Sequence, residues 1–344
     1  MRVLVAGCAD ENAFPHMVPL AMALRAGGHE VHVAGRPRFT EVISQAGLDA
    51  VPVGRDNDVW DAFGVPVAER AALRTAMIEP YDVVGQDERF ITREYLRSGY
   101  DYHVTWWHKM DNLPVIAQLV THAQQWRPAL VLWEPTCYAG PVAAKAVGAA
   151  HARFLPYPDI YGVTREHFLR LRHPGDPDPL GDWLAGYASR YGATFTEDMI
   201  TGELTIDQLP GSLRLDHELP YTPVRYTPWP APGGTGVPPA RPRIAVHGGE
   251  LTAQLTAIHC GVPQLALPRY VDEPPLAQRI ADRGAGLRVH PRTLTSAIVR
   301  KSVHRLMTEP SFHDSAAKLR DEMLTMPAPH EVVPRLEELA AAHR

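Results

Sequence analysis

The feature that most constrains this chain is a rhythm that occurs twice: a short apolar run, a stretch with apolar residues at helical spacing, then another short apolar run. The first occurrence opens the sequence. Arg2 to Ala6 is apolar, Met17 to Leu24 carries helical spacing and stops at Gly27-Gly28, and His29 to Ala34 reads as a second strand. Parallel strands joined through a helix require a right-handed crossover, which puts the loop after the first strand on the carboxyl edge of the sheet. Ligands of such sheets gather there. A helix at about 39–46, a strand at 50–53, a helix near 113–126, a strand at 129–133, a helix over 138–147 and a strand at 151–155 continue the pattern. The second occurrence begins at 244: a strand over 244–246, a turn at His247-Gly248-Gly249, a helix over 250–259, a strand at 263–267, a helix at 275–283, a strand at 286–289 and a helix at 294–307. Two doubly wound α/β units are expected, the second one small. Amphipathic stretches at 311–324 and 331–343 close the chain.

Two regions break the rhythm. From Arg55 to Asp111 the alternation fails while aromatics accumulate, among them Trp60, Phe63, Tyr81, Phe90, Tyr95, Trp106 and Trp107. Such a segment reads either as an irregular excursion with its own small core or as an apolar ligand wall. Between 219 and 242 prolines 220, 223, 228, 230, 232, 238, 239 and 242 interrupt any helix or strand. The expected division is therefore an N-terminal domain over 1–218, a Pro-rich linker over 219–243, and a C-terminal domain with terminal helices over 244–344. At 344 residues and 45% hydrophobic content, the chain has material for two cores.

Bulk properties exclude several function classes. A formal net charge of −5 gives no global reason to bind nucleic acid, so a small-molecule partner is the better expectation. Cys8, Cys137 and Cys260 are widely spaced and form no CxxC pair, which argues against a disulfide framework and a structural zinc site and fits a reducing cytoplasm. No apolar run approaches the ~18 residues of a membrane span. A dinucleotide-dependent dehydrogenase is set aside, because the first strand is followed by Gly7-Cys8-Ala9-Asp10 and not by a GxGxxG turn.

The chemistry points to the second unit. Glycines at 248 and 249 let the backbone approach phosphate oxygens, and the helix that follows offers unpaired N–H groups with a partial positive charge. The triplet alone is also common turn chemistry. Asp272 and Glu273 fall in the loop after the next strand, beside the expected phosphate position. They read equally as acceptors for sugar hydroxyls or as solvated acids capping the next helix.

Motifs along almost the whole chain resemble the macrolide-type deoxysugar glycosyltransferases of the GT-B fold. They include Met17-Val18-Pro19-Leu20-Ala21 with Ala26-Gly27-Gly28-His29-Glu30-Val31, then Trp126-Arg127-Pro128, Leu132-Trp133-Glu134-Pro135, Ala150-His151-Ala152-Arg153 and Gly162-Val163-Thr164-Arg165. Thr205-Ile206-Asp207-Gln208-Leu209-Pro210, Gly261-Val262-Pro263-Gln264 and Gly284-Ala285-Gly286-Leu287 complete the set. The resemblance implies two Rossmann-type doubly wound domains, the first binding an aglycone and the second a dTDP-deoxysugar, with inverting transfer and no metal or other cofactor. It assigns the diphosphate to His247, Gly248, Gly249 and Thr252 and the sugar to Asp272 and Glu273. Trp133, Glu134, Trp106 and Trp107 become the acceptor candidates. An auxiliary activator protein bound through the first domain is a further implication.

Three departures from the family pattern matter. The position of the family's catalytic histidine holds Ala13, with Asp10, Glu11 and His16 nearby as substitutes, so His16 and Asp10 are the candidate bases. In Val246-His247-Gly248-Gly249-Glu250-Leu251-Thr252, Leu251 replaces a glycine and Glu250 adds negative charge near a diphosphate. Between Pro242-Arg243-Ile244 and Val246-His247 about two βαβ units, on the order of 60–80 residues, are missing relative to the family, so the second domain is shortened. A shortened sheet exposes apolar faces and edges, which predicts oligomerisation or a bound partner. These departures favour an alternative: a catalytically impaired relative that binds an acceptor or a partner protein.

Overall fold

The computed structural model describes residues 1–7, 12–56, 64, 79–85, 87–229, 244–269 and 273–343. The strand β1 (Arg2–Ala6) is followed by α1 (Phe14–Ala26) and β2 (Glu30–Gly35), then by α2 (Thr40–Gln45) and β3 (Asp49–Pro52). Pro15 sits in the first turn of α1, and the chain leaves the helix through Gly27 and Gly28, the latter at φ +84°. Then come α3 (Arg93–His103), α4 (Lys109–Trp126), β4 (Leu130–Trp133), α5 (Ala139–Val147), β5 (Ala150–Leu155), α6 (Ile160–Leu171), α7 (Pro179–Arg190), the single turn α8 (Asp198–Thr201), β6 (Leu204–Asp207) and β7 (Tyr221–Pro223).

The seven strands form one parallel sheet in the order β3-β2-β1-β4-β5-β6-β7. Alternation within each strand divides the core. Val3, Val5, Leu130 and Leu132 point into a cluster with Leu20 and Leu24 of α1, whereas Leu4, Ala6, Val131 and Trp133 point into a cluster with Ile116 and Leu119 of α4. Helices thus cover both faces, as apolar runs with no polar side require. Gly140 lets α5 lie directly on β4, because a Cβ there would stand 2.5 Å from Trp133 Cβ. The strand order reverses between β1 and β4, which opens a crevice at their carboxyl ends.

The second unit is a three-stranded parallel sheet, β10-β9-β8, built from β8 (Ala245–His247), α9 (Leu251–Cys260), β9 (Gln264–Ala266), α10 (Glu273–Asp282) and β10 (Gly286–Arg288). It is small, as expected. Two helices follow, α11 (Ser296–Thr308), capped by the Thr295 hydroxyl, and α12 (Pro310–Thr325). Leu255, Ile258, Leu276, Ile280, Leu319 and Met323 share a cluster with Leu209, Leu213 and Tyr226 of the first unit, so the two halves are packed together.

Several expectations are corrected. Part of the region read as irregular contains α3, capped by Thr92, which runs through a π-helical turn at Val104–His108 into α4. The stretch expected to exclude strands begins with β7, which is tolerated because it lies at the sheet edge and its proline ends the ladder. The last helix, α13 (Pro329–Ala341), belongs with the first unit's core: Val332, Val333, Leu336 and Ala340 pack with Leu20, Leu24 and Ile43. Its apolar stripe completes the face that α1 leaves open. Trp60 and Phe63 lie outside the described residues.

Candidate active site

The helices that follow β1 and β8 touch through their first turns, His16 of α1 against Thr252 of α9. Ala13, buried at the N-cap of α1, offers only a methyl group at the position where the resemblance leads one to expect a base. His16 stands one turn into α1 and is almost fully buried. Its Nε2 lies 2.9 Å from Thr252 Oγ1, and its Nδ1 lies 3.4 Å from Gln208 Nε2. Burial pulls its pKa down to about 4, so the ring is neutral at pH 7. The ring is uncharged, as a histidine base must be, but weakly basic, and both nitrogens are engaged. Asp10 and Glu11 lie outside the described residues.

On the other side of the cleft, His247 ends β8; its Nε2 contacts Gln264 Oε1 at 2.9 Å, and its Nδ1 accepts from the Gly249 amide at 3.2 Å. Gly249 has φ +109°, and a Cβ there would lie 2.5 Å from Pro268 Cα, so the turn demands glycine. Glu250 precedes α9 without a side-chain cap, and its carboxylate folds back over Gly248, where a Cβ would meet Oε1 at 2.5 Å. Thr252 lies in the first turn of α9. Glu273 opens α10, is buried, and accepts from the Arg269 amide at 2.7 Å; its Oε2 borders Gly249, 3.0 Å from the Cβ position. His247, Gly248, Gly249, Thr252 and Glu273 are thus brought together. Asp272 lies outside the described residues.

The acceptor candidates are not gathered. Trp133 is fully buried, donating from Nε1 to His151 Nδ1 at 3.3 Å, and Glu134 is fully buried, accepting from the Thr136 amide at 2.7 Å and from its hydroxyl. Neither presents a face to a ligand, which corrects the expectation; both belong to the packed end of β4. Trp106 and Trp107 lie on the π-helical turn, Trp106 48% exposed and Trp107 5.6 Å from the His103 ring.

Polar residues missed from the sequence support the site from beneath. Gln254, fully buried in α9, donates to the Gly249 carbonyl at 2.5 Å, and Gln264 donates to the Gln254 carbonyl at 3.3 Å. Their signal was glutamine at positions whose buried neighbours, Leu255, Ala257, Ile258, Leu265 and Ala266, are apolar. At the ends of β5 and β6, Arg153, His217 and Tyr221 surround Asp159; burial pushes this carboxyl up, but Arg153 and His217 outweigh it and hold it down at about 2. Burial raises Asp207 to about 6 although Arg214 stands 2.7 Å away. Away from the cleft, His151, Asp198 and Glu203 are grouped closely enough for a cation, but Lys145 Nζ already sits 2.5 Å from Asp198 and 3.9 Å from Glu203. The Trp133 N–H directed at His151 Nδ1 also leaves the proton on Nε2, the atom that faces the cluster. It is an ion-pair network.

Comparison with known proteins gives a consistent result. The family model described as erythromycin biosynthesis protein CIII-like, N-terminal domain, matches residues 22–248, and the model of its C-terminal domain matches 239–339. The chain is 36% identical to a 10-deoxymethynolide desosaminyltransferase from Streptomyces venezuelae, covering 100% of this chain and 98% of that protein. It is 33% identical to an erythronolide mycarosyltransferase from Saccharopolyspora erythraea, covering all of both. Among solved structures, the glycosyltransferase VinC in complex with dTDP superposes with a TM-score of 0.86 at 30% identity, covering 99% of this chain and 100% of that one. The alignment with the Streptomyces venezuelae protein runs over 430 residues against the 344 of this chain, as a shortened relative requires.

Proposed function

The chain belongs to the erythromycin biosynthesis protein CIII-like family, and from that membership we propose that it moves a deoxysugar from a dTDP-sugar to a hydroxyl of a polyketide acceptor. It is a GT-B glycosyltransferase, and the alignment of 430 residues against the 344 of this chain supports the reading that its C-terminal domain is shortened. The observation that carries the donor assignment is the convergence of the Gly248-Gly249 turn, the uncapped start of α9 with Thr252, and the Glu273 carboxylate in one place.

In this reading the diphosphate accepts hydrogen bonds from the N–H groups at the start of α9 and from Thr252, while Glu273 and Asp272 accept from sugar hydroxyls. The acceptor oxygen attacks the anomeric carbon from the face opposite the diphosphate, the bond to the phosphate oxygen breaks, and configuration inverts. Backbone donors and the helix dipole stabilise the leaving dTDP, a role that calls for no metal ion. The hydroxyl proton goes to a base. Since both ring nitrogens of His16 are engaged, Asp10 is the remaining candidate of the sequence. Trp106 and Trp107 are kept as contacts for a hydrophobic aglycone or for an auxiliary protein. Among the described strands β8 pairs only with β9 and Val246 is 51% exposed, which favours burial of this edge against another chain.

The deciding experiment is thermal unfolding with dTDP followed by turnover with a panel of dTDP-deoxysugars and macrolactones, with and without a candidate auxiliary protein. A ligand at 100-fold its dissociation constant adds about 2.7 kcal/mol, and no shift at millimolar dTDP would refute the donor site. In the same assay Asp10→Asn is expected to lower kcat about 100-fold or more, the scale of general-base catalysis, and EDTA to leave the rate unchanged. Light scattering checks the edge: a strictly monomeric, fully active chain overturns association.

A further inference from the structure

Three polar side chains from distant parts of the sequence form one line across the two halves. Gln208 follows β6, His16 stands in the first turn of α1, and Thr252 stands in the first turn of α9. Gln208 Nε2 lies 3.3 Å from the Leu155 carbonyl oxygen and 3.4 Å from His16 Nδ1, and His16 Nε2 lies 2.9 Å from Thr252 Oγ1. The first acceptor sets the direction of every bond. A backbone carbonyl has no proton to give, so the Gln208 atom facing it is the amide nitrogen; the reversed amide would set oxygen against oxygen. An amide nitrogen only donates, so His16 Nδ1 accepts. The buried ring is neutral, its single proton is therefore on Nε2, and that N–H donates to Thr252 Oγ1. With its oxygen already accepting from His16, the Thr252 hydroxyl is left to direct its own hydrogen elsewhere. That hydroxyl stands at the uncapped start of α9, close in sequence to the Gly248-Gly249 turn.

We propose that Gln208 and His16 are positioning residues for the donor: the chain from Gln208 through His16 orients the Thr252 hydroxyl as a hydrogen-bond donor to an oxygen of the leaving diphosphate. The inference rests on the donor-site reading above and adds that the first domain completes that site. It also gives His16 a role other than the base. Hydrogen bonds in series polarise one another, so a link removed far from the phosphate is felt at the phosphate.

Calorimetric titration of the full-length chain with dTDP tests this. Thr252→Val and His16→Leu are each expected to weaken dTDP binding about tenfold, the scale of one hydrogen bond to a charged group. Thr252→Ser is expected to retain affinity, and His16→Gln, which keeps an N–H of similar reach, to recover most of it. The double variant His16→Leu with Thr252→Val is expected to bind no worse than Thr252→Val alone, because the two act through one chain. Additive losses, or unchanged affinity in His16→Leu, overturn the proposal. A nitrogen-15 spectrum of the His16 ring in the ligand-free protein provides a readout that does not depend on variants folding: protonation at Nε2 is expected, and protonation at Nδ1 reverses the chain and overturns the proposal. Wild-type protein that fails to bind dTDP removes the donor site and this inference together. Additivity or the wrong tautomer with normal wild-type binding removes the inference alone.

Discussion

The two halves are built to different standards. In the first, β4 and β5 are buried along their whole lengths, helices cover both faces, and a glycine in α5 brings helix and sheet into direct contact. In the second, each strand has three residues, the middle residue of β8 is exposed, and much of the core is shared with Leu209, Leu213 and Tyr226 from the first half. The first half has two large clusters, one of them completed by α13, whereas the second has a small cluster of its own around Leu265 and Leu306 and a larger one that it shares with the first. The shared cluster is a joint between the two halves. The His16–Thr252 contact lies on that joint.

The comparison is most sharply tested by acid. His16 and His103 are both buried in the first half, and burial pulls each pKa from 6.5 to about 4. Their folded values lie below the unfolded ones, so the stability they permit is present above pH 6.5 and is lost as pH falls towards 4. A depression of this size amounts to about 3 kcal/mol for each ring. His247 and His259 of the second half are also lowered by burial, and Asp207 of the first, raised to about 6, works in the opposite direction, so the acid sensitivity is not confined to one half. Urea unfolding at pH 7 and pH 5 should show a marked loss that His16→Gln reduces; equal stability at both pH values would contradict the assignment.

A smaller effect tests the helix that ties the ends together. Leu336 of α13 is fully buried among residues of α1, so Leu336→Ala is expected to cost about 2–5 kcal/mol. The loss should appear in hydrogen exchange of α1 and β1 first. If protection falls only in residues 244–325, α13 belongs energetically to the second half and the comparison fails.

How much of this was legible follows from what each segment buries. β1, α1, β4 and α5 announce themselves because their buried faces are aliphatic. α3 does not, since its buried positions are Leu96, Gly99, Tyr100 and His103, only one of them aliphatic. α6 and α7 are obscured by charge: Arg165 is buried against Asp178 and Glu197, a pairing that spacing along a sequence does not reveal. The Gly248-Gly249 turn was readable because glycine, glycine and the start of a helix are local. The contacts of His16 were not, for its partners lie 192 and 236 residues away. The destination of α13 was equally hidden, because an apolar stripe shows that a helix is covered but not by what.

The smallest expected effect bears on how far the second half has drifted as a donor site. The Glu250 carboxylate folds over Gly248 at the start of α9, where a diphosphate would meet both its charge and its volume. Like charges at this separation oppose each other by about 1 kcal/mol at an exposed site, and the helix dipole that attracts the phosphate also retains the carboxylate. Removing the charge should release that end of the helix for the ligand. Glu250→Gln is accordingly expected to tighten dTDP binding about three- to tenfold with little change in global stability, and the gain should shrink at high salt as the repulsion is screened. Weaker binding in Glu250→Gln would mean that the carboxylate shapes the turn more than it repels the ligand, and the second half would then be an adapted donor site with its own geometry.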